Sequence, residues 1–169
     1  AGRFGRLTVG GGYTFLTATY ESEESVNGQG NSTNDAAREG VPGVEGTIEI
    51  EPGDRIPLVP RHMFKAYADI TVTKALALDV DVIAVSSSFA RGNENNLHEP
   101  DGTYYFGPGT APAYAVMNLG ATYALASWFQ LVGQITNLFD EQYFMYANSN
   151  TNITPASPRA VRFALTTRF

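Results

Sequence analysis

The sequence contains no cysteine, one tryptophan and two histidines, and only 17% of its 169 residues are charged. Without thiols there is no disulfide scaffold, no cysteine-ligated zinc and no thiol nucleophile. Positive charge is scarce as well: 11 Lys and Arg stand against 17 Asp and Glu, a net charge of −6. A nucleic-acid partner needs a basic face to neutralise phosphates, so that class is excluded. His62 and His98 show no metal-ligand spacing, Asn93-Glu94-Asn95-Asn96 does not match a calcium loop, and no Walker or dinucleotide motif is present, so no cofactor is expected. A Ser-His-Asp site can be drawn only from His62, Asp69 and a serine of Ser86–Ser88, which nothing in the sequence brings together; the chain does not read as an enzyme. Ala1–Gly12 lacks a basic stretch followed by an apolar core, so no signal peptide is expected within the chain.

Long hydrophobic runs are missing too. From Gly102 to Phe139 no Asp, Glu, Lys, Arg or His occurs, yet Pro108, Pro112, Asn118, Gln130, Gln134, Asn137 and five glycines break the stretch. A helical membrane span needs an uninterrupted apolar segment, so none is expected here. What the chain does have is 20 aromatic residues, 17 glycines and a 43% hydrophobic fraction, too apolar for a disordered polymer.

Those apolar residues recur with a period of two, the signature of strands. Phe64, Ala66, Ala68, Ile70 and Val72 alternate with Lys65, Tyr67, Asp69 and Thr71; Leu76, Leu78, Val80, Val82 and Ala84 alternate with Ala77, Asp79, Asp81 and Ile83. Tyr114–Tyr123 sets Ala115, Met117, Leu119 and Ala121 against Val116, Asn118, Gly120 and Thr122, and Phe129–Thr136 sets Leu131, Gly133 and Ile135 against Gln130, Val132 and Gln134. Val161, Phe163, Leu165, Thr167 and Phe169 alternate with Arg162, Ala164, Thr166 and Arg168, and a first strand over Arg6–Tyr20 carries Leu7, Val9, Tyr13 and Phe15 in phase. The even-numbered residues Phe64–Val72 and the odd-numbered residues Val161–Phe169 are expected to point away from Lys65, Asp69, Arg162 and Arg168.

The connections run long, short, long, short, long: about 40, 3, 25, 5 and 20 residues, the loop rhythm of an outer-membrane barrel. Strands of about ten residues also match a tilted membrane strand. Tyr123, Trp128 and Phe129 cluster at one short turn, while Tyr104, Tyr105, Phe106, Tyr114, Tyr143, Phe144 and Tyr146 lie at the ends leading into long loops; two such bands read as interfacial girdles. The fold class read from this pattern is all-β, an antiparallel up-and-down transmembrane β-barrel segment of six strands. A soluble β-sandwich also alternates, and that reading stays open.

Four segments resemble TonB-dependent outer-membrane receptors. Pro57-Leu58-Val59-Pro60-Arg61-His62 leads into a strand as "P-x-x-P-R-H" does there, and Asn137-Leu138-Phe139-Asp140 with Tyr143 is similar to "N-L-F-D-x-x-Y". Arg91-Gly92-Asn93-Glu94-Asn95-Asn96 and Gly120-Ala121-Thr122-Tyr123 also look like receptor sequence. Phe169, with Leu165, Phe163 and Val161 behind it, is similar to the C-terminal signature of outer-membrane barrels, with Thr167 a departure where an apolar residue is usual.

The resemblance implies a C-terminal fragment, residues 1–169, of a 22-stranded barrel whose N-terminal plug is absent, with Ala1-Gly2-Arg3 as a periplasmic turn. It implies residence in the outer membrane of a Gram-negative bacterium and active import of a scarce substrate, most readily a ferric siderophore or related iron chelate. It further implies coupling through the missing plug to an inner-membrane energising complex, and insertion by the outer-membrane assembly machinery, for which Val161, Phe163, Leu165 and Phe169 form the barrel-assembly signal. Two other classes stay open: a small oligomeric outer-membrane structural β-protein, and the soluble β-sandwich binding module.

No single residue stands out as a ligand contact. Lys65, Tyr67, Asp69, Asp79, Asp81, Asn118, Gln130, Gln134, Arg162 and Arg168 read as the wall facing the plug, and Arg91–Ala113 and Glu141–Pro158 as the loops nearer a ligand. The first long loop concentrates charge: Glu21, Glu23, Glu24, Asp35, Glu39, Glu45, Glu49, Glu51 and Asp54 accompany one base, Arg38. Such a loop reads as a solvated, self-repelling segment or a cation-attracting vestibule, and it does not suit an anionic ferric chelate.

Overall fold

A computed structural model describes residues 1–28, 31, 34, 46–98, 109–148 and 152–167, with residues 146–148 and 152 described by backbone alone. In chain order the strands are β1 (Gly2–Phe4), β2 (Leu7–Phe15), β3 (Glu24–Asn27), β4 (Thr47–Ile50), β5 (His62–Thr71), β6 (Leu76–Val85), β7 (Ser88–Phe89), β8 (Thr110–Ala111), β9 (Tyr114–Ala126), β10 (Phe129–Thr136), β11 (Phe144–Asn148), β12 (Asn152–Pro155) and β13 (Ala160–Thr167). Seven of them form one antiparallel sheet in the order β1-β2-β5-β6-β9-β10-β13; β3-β4, β7-β8 and β11-β12 are separate two-stranded ladders.

Six long strands lie over the alternating stretches, each beside its neighbour in sequence, but the first ends at Phe15 rather than Tyr20, and β1 makes the sheet seven-stranded rather than six. A further local expectation is corrected. Gly2–Phe4 is not a turn but a short strand, with Gly2 opposite Val9 and Phe4 opposite Leu7. The turn falls at Gly5-Arg6, where Gly5 takes φ 63°, a left-handed conformation that glycine adopts without a Cβ penalty. The sheet is open: β1 and β13 are its two edges.

The register sorts the side chains as the period of two requires. Phe64 faces Tyr13 and Ala84, Ile70 faces Leu7 and Leu78, Val80 faces Leu119, Leu119 faces Ile135, and Ile135 faces Val161. That face is apolar from edge to edge. On the other face Tyr67 meets Asp81, Asp69 meets Asp79, Asp81 meets Asn118 and Gln134 meets Arg162. Phe163 and Leu165 are therefore on the face opposite Arg162, as expected.

Nothing covers the apolar face among the described residues: Phe163 is 77% exposed, Leu165 65% and Val161 56%. A sandwich would bury this face against a second sheet, and the described residues form no such core. Of the buried hydrophobic residues Ile48, Ile50, Ala90 and Val116, only Val116 belongs to the large sheet.

Two glycines shape the polar face. The Tyr67 ring lies where a side chain on Gly10 would stand, and the Asp79 carboxylate occupies the same place over Gly120. Each large side chain thus lies along the sheet, in the room left by a cross-strand glycine.

At the short-turn end, Thr73 Oγ1 accepts hydrogen bonds from the amides of Ala75 and Leu76 at 3.1 and 3.0 Å, closing the link from β5 to β6. Ser127-Trp128 alone joins β9 to β10, with the Trp128 and Phe129 rings 5.6 Å apart. At the other end of the apolar face, Tyr13, Phe15 and Phe64 surround His62, whose ring centroid lies 6.0 Å from that of Tyr13 and 5.2 Å from that of Phe15. Tyr114 does not join this band. It shares the polar face with Val116 and Asn118, and stacks on Tyr143 at 4.2 Å. Tyr104, Tyr105 and Phe106 lie outside the described residues, as does the Tyr146 side chain.

Candidate functional site

The long connections gather at one end of the sheet, where β2, β6 and β10 finish and β5, β9 and β13 begin. Here the chain builds the core that the sheet lacks. Ile48 and Ile50 on β4 are 0 and 1% exposed, and Asn31, Asn34, Asn93, Asn95 and His98 are buried with them. Buried amides hold position only when hydrogen-bonded, and here they knot loop to loop. Asn93 donates to Gly109 O at 3.0 Å and accepts from the His98 amide at 3.0 Å. Asn96 pairs with the backbone of Arg55 in both directions, accepting from its amide at 2.7 Å and donating to its carbonyl at 2.9 Å. Asn31 donates to Gly92 O.

The first and second long loops are therefore clipped together by Asn96 and Asn31. The Pro57–Pro60 segment adds a third tie, since the Leu58 amide donates to Phe89 O at 2.8 Å while Leu58 sits at φ 65°. Arg55 places its guanidinium 5.1 Å from the Phe89 ring centroid, a cation–π contact, and burial with nearby Arg61 lowers its pKa from the usual value. Close by, burial raises the pKa of the Tyr20 phenol above 10.0, and Glu94 raises it further. Of the acidic cluster, Glu21, Glu23, Glu24, Glu49 and Glu51 are exposed around the β3–β4 hairpin; Asp35, Glu39, Glu45 and the base Arg38 lie outside the described residues.

The last loop is fastened by the Asn137–Asp140 motif. Asn137 is 3% exposed, and both Asn137 and Asp140 take left-handed φ values of 51° and 56°, which Asn and Asp tolerate better than most residues. The Asp140 carboxylate accepts from the Arg159 amide at 2.8 Å, and the Leu138 amide donates to Met117 O at 2.8 Å. Beneath this turn, on the polar face, a cavity of about 250 Å³ is lined by Ile83, Tyr114, Asn118, Asn137, Tyr143 and Ser157, among others, and by no charged side chain.

The wall residues Lys65, Tyr67, Asp69, Asp79, Asp81, Asn118, Gln130, Gln134 and Arg162 share the polar face; Arg168 lies outside the described residues. The Ser-His-Asp arrangement is not assembled. The His62 ring accepts or donates at 2.6 Å with Tyr13 OH on the apolar face, its backbone amide donates to Ser86 Oγ, and Asp69 points to the opposite face. Among the described residues no group of three His, Cys, Asp or Glu side chains is placed to hold a metal. Val161, Phe163 and Leu165 share the apolar side of the edge strand β13, and Phe169 lies outside the described residues.

No protein-family model and no curated protein matches the chain. Solved structures do. The closed form of the ferric-catecholate import receptor Fiu from E. coli K12 matches with a TM-score of 0.68 and 18% identity over 98% of this chain and 19% of that receptor. The siderophore receptor PiuA from Acinetobacter baumannii matches with a TM-score of 0.72 and 16% identity over 98% of this chain and 20% of its own. A variant of the ferric enterobactin receptor PfeA from Pseudomonas aeruginosa matches with a TM-score of 0.53 and 20% identity over 69% of this chain and 17% of its own. The chain spans about a fifth of the length of Fiu and PiuA. The sheet thus has the fold of a stretch of receptor barrel wall, the fold that the sequence motifs imply.

Proposed function

We propose that the chain is the C-terminal part of the barrel of a TonB-dependent outer-membrane receptor that imports a scarce substrate, most readily a ferric siderophore or related iron chelate. The observation that carries this reading is the large sheet: one face apolar from edge to edge, the other polar, and both edges open. Open edges in lipid leave backbone groups without partners at several kcal/mol each, so such a sheet requires further strands to close it. A 22-stranded barrel with a plug in its lumen supplies both the strands and the contents that the polar face needs. Arg55 and Arg91 near the loop knot offer cations for an anionic chelate that the exposed glutamates do not. In this reading the inner-membrane complex energises uptake through the plug, and no step of covalent chemistry belongs to the chain.

The test is uptake of radioactive iron from a panel of ferric siderophores in a strain lacking the gene, with and without complementation. Loss of at least one chelate, restored by complementation, is the expected result. Uptake unchanged across the panel, under iron limitation that induces the gene, would sink the import role.

The same reading gives the terminal strand a task. Val161, Phe163, Leu165 and Phe169 are the barrel-assembly signal, presenting one apolar face and a terminal aromatic to the assembly machinery. Deleting Phe169 in the complete receptor is expected to lower the yield of heat-modifiable, protease-resistant barrel several-fold. An unchanged yield leaves the barrel assignment intact and rejects the signal.

A further inference from the structure

We infer that Asn118 is a positioning residue that couples the carboxylate of Asp81, on the polar face, to the last long loop. The Asn137 amide donates to Asn118 Oδ1 at 2.8 Å, and Asn118 Nδ2 donates to Asp81 Oδ2 at 2.8 Å. A backbone N–H can only donate, so the Asn118 amide cannot be turned over: its oxygen faces the turn and its nitrogen faces the carboxylate. The next link has the same direction. The Glu141 amide donates to Asn137 Oδ1 at 2.8 Å, and Asn137 Nδ2 donates to Glu141 O at 2.9 Å and Ser157 O at 3.3 Å. Arg159, at the far end of the loop, donates its amide to Asp140 and its guanidinium to Leu138 O at 3.4 Å. Both ends of segment 141–159 are thus held by the turn at residues 137–140, and the side chain of Asn118 ties that turn to the wall carboxylate.

The loop carries Tyr143 against Tyr114, and both line the uncharged cavity described above. A cation drawn to Asp81 from the polar side therefore acts on the position of Tyr143 and Ser157 through the side-chain amides of Asn118 and Asn137. The coupling does not depend on what the cargo is, and its test uses none.

The experiment is hydrogen–deuterium exchange on the complete protein carrying this sequence, in detergent micelles. Asn118→Asp keeps an acceptor for the Asn137 amide but sets a carboxylate against Asp81. Exchange over residues 137–145 is expected to quicken at least tenfold, with His62–Thr71 unchanged. Adding Asp81→Asn restores a donor–acceptor pair with its polarity reversed, and exchange is expected to return to within twofold of the parent. A role confined to local packing predicts no such rescue. Unchanged exchange in N118D, or a double variant as fast as the single, overturns the coupling. If N118D does not accumulate, Asp81→Ala, which leaves the Asn118 oxygen in place for the Asn137 amide, is read instead: faster exchange at 137–145 supports the coupling, and parental exchange overturns it.

Discussion

The large sheet and the loop knot solve opposite problems. In the sheet, hydrogen bonds are complete between neighbouring strands, but the side chains have no interior; Phe163, Leu165 and Val161 remain largely exposed. In the knot, Ile48 and Ile50 are fully buried, and asparagine amides such as those of Asn93 and Asn96 are tied to backbone. One region takes its apolar partner from the surroundings, the other from its own chain. On the function proposed above, stability in the sheet is a property of protein plus lipid, whereas the knot is stabilised by ordinary packing and amide hydrogen bonds.

The comparison breaks most completely if the sheet is content in water. Prepared alone without detergent, the chain is expected to aggregate through its apolar face and its edge strands. A monodisperse monomer that melts cooperatively in plain buffer would return the reading to a sandwich. Next in size is Ile50→Ala in the complete protein, which removes a fully buried side chain at a local cost of about 2–5 kcal/mol. Limited proteolysis should open the β3–β4 hairpin while the heat-modifiable barrel persists; loss of the barrel at the same dose would show that the regions are not separate.

A change on the sheet alone tests the other half. Leu119→Arg, mid-strand on the apolar face, is expected to cost about 2–4 kcal/mol in urea-driven folding into lipid vesicles, against under about 1 kcal/mol for Val132→Arg on the polar face. Equal costs would mean that the faces are misassigned. The smallest effect is a pH dependence. The Tyr20 phenol, raised in the folded state by burial and then by Glu94, favours the folded knot fully below its unfolded value of 10.0. Above that pH the unfolded state loses its proton first, so protection of the knot should fall as pH rises through the folded pKa, and Tyr20→Phe should flatten this fall. An identical profile in the phenylalanine variant would assign the dependence elsewhere.

The two regions also differ in how far sequence reveals them. Strands β2, β5, β6, β9, β10 and β13 are long enough for alternation to declare both their presence and their faces. The ladders β3-β4, β7-β8 and β11-β12 have strands of two to five residues, too short for any period to register. Nor does a sequence announce that Asn93 and Asn95 are interior, or that Asn93 and Asn96 bond to the backbone of Gly109 and Arg55. Polar composition there reads as solvent-exposed loop. Tyr114 is a different case: its even number, in phase with Val116 and Asn118, already assigned it to the polar face, and grouping it with a girdle overlooked that phase. Asn137 and Asp140 carried a usable hint as well, since these residue types favour the left-handed turn they adopt.

Gly10 and Gly120 bear on the width of the passage that a closed wall would enclose. A side chain the size of tyrosine ordinarily projects inward and narrows a bore. Tyr67 instead lies flat in a recess left by Gly10, and Asp79 in one left by Gly120. Clearance on this side of a barrel is thus governed by residues with no side chain at all. A single methyl at Gly10 would displace the neighbouring ring toward the axis, constricting the aperture without adding bulk of its own there.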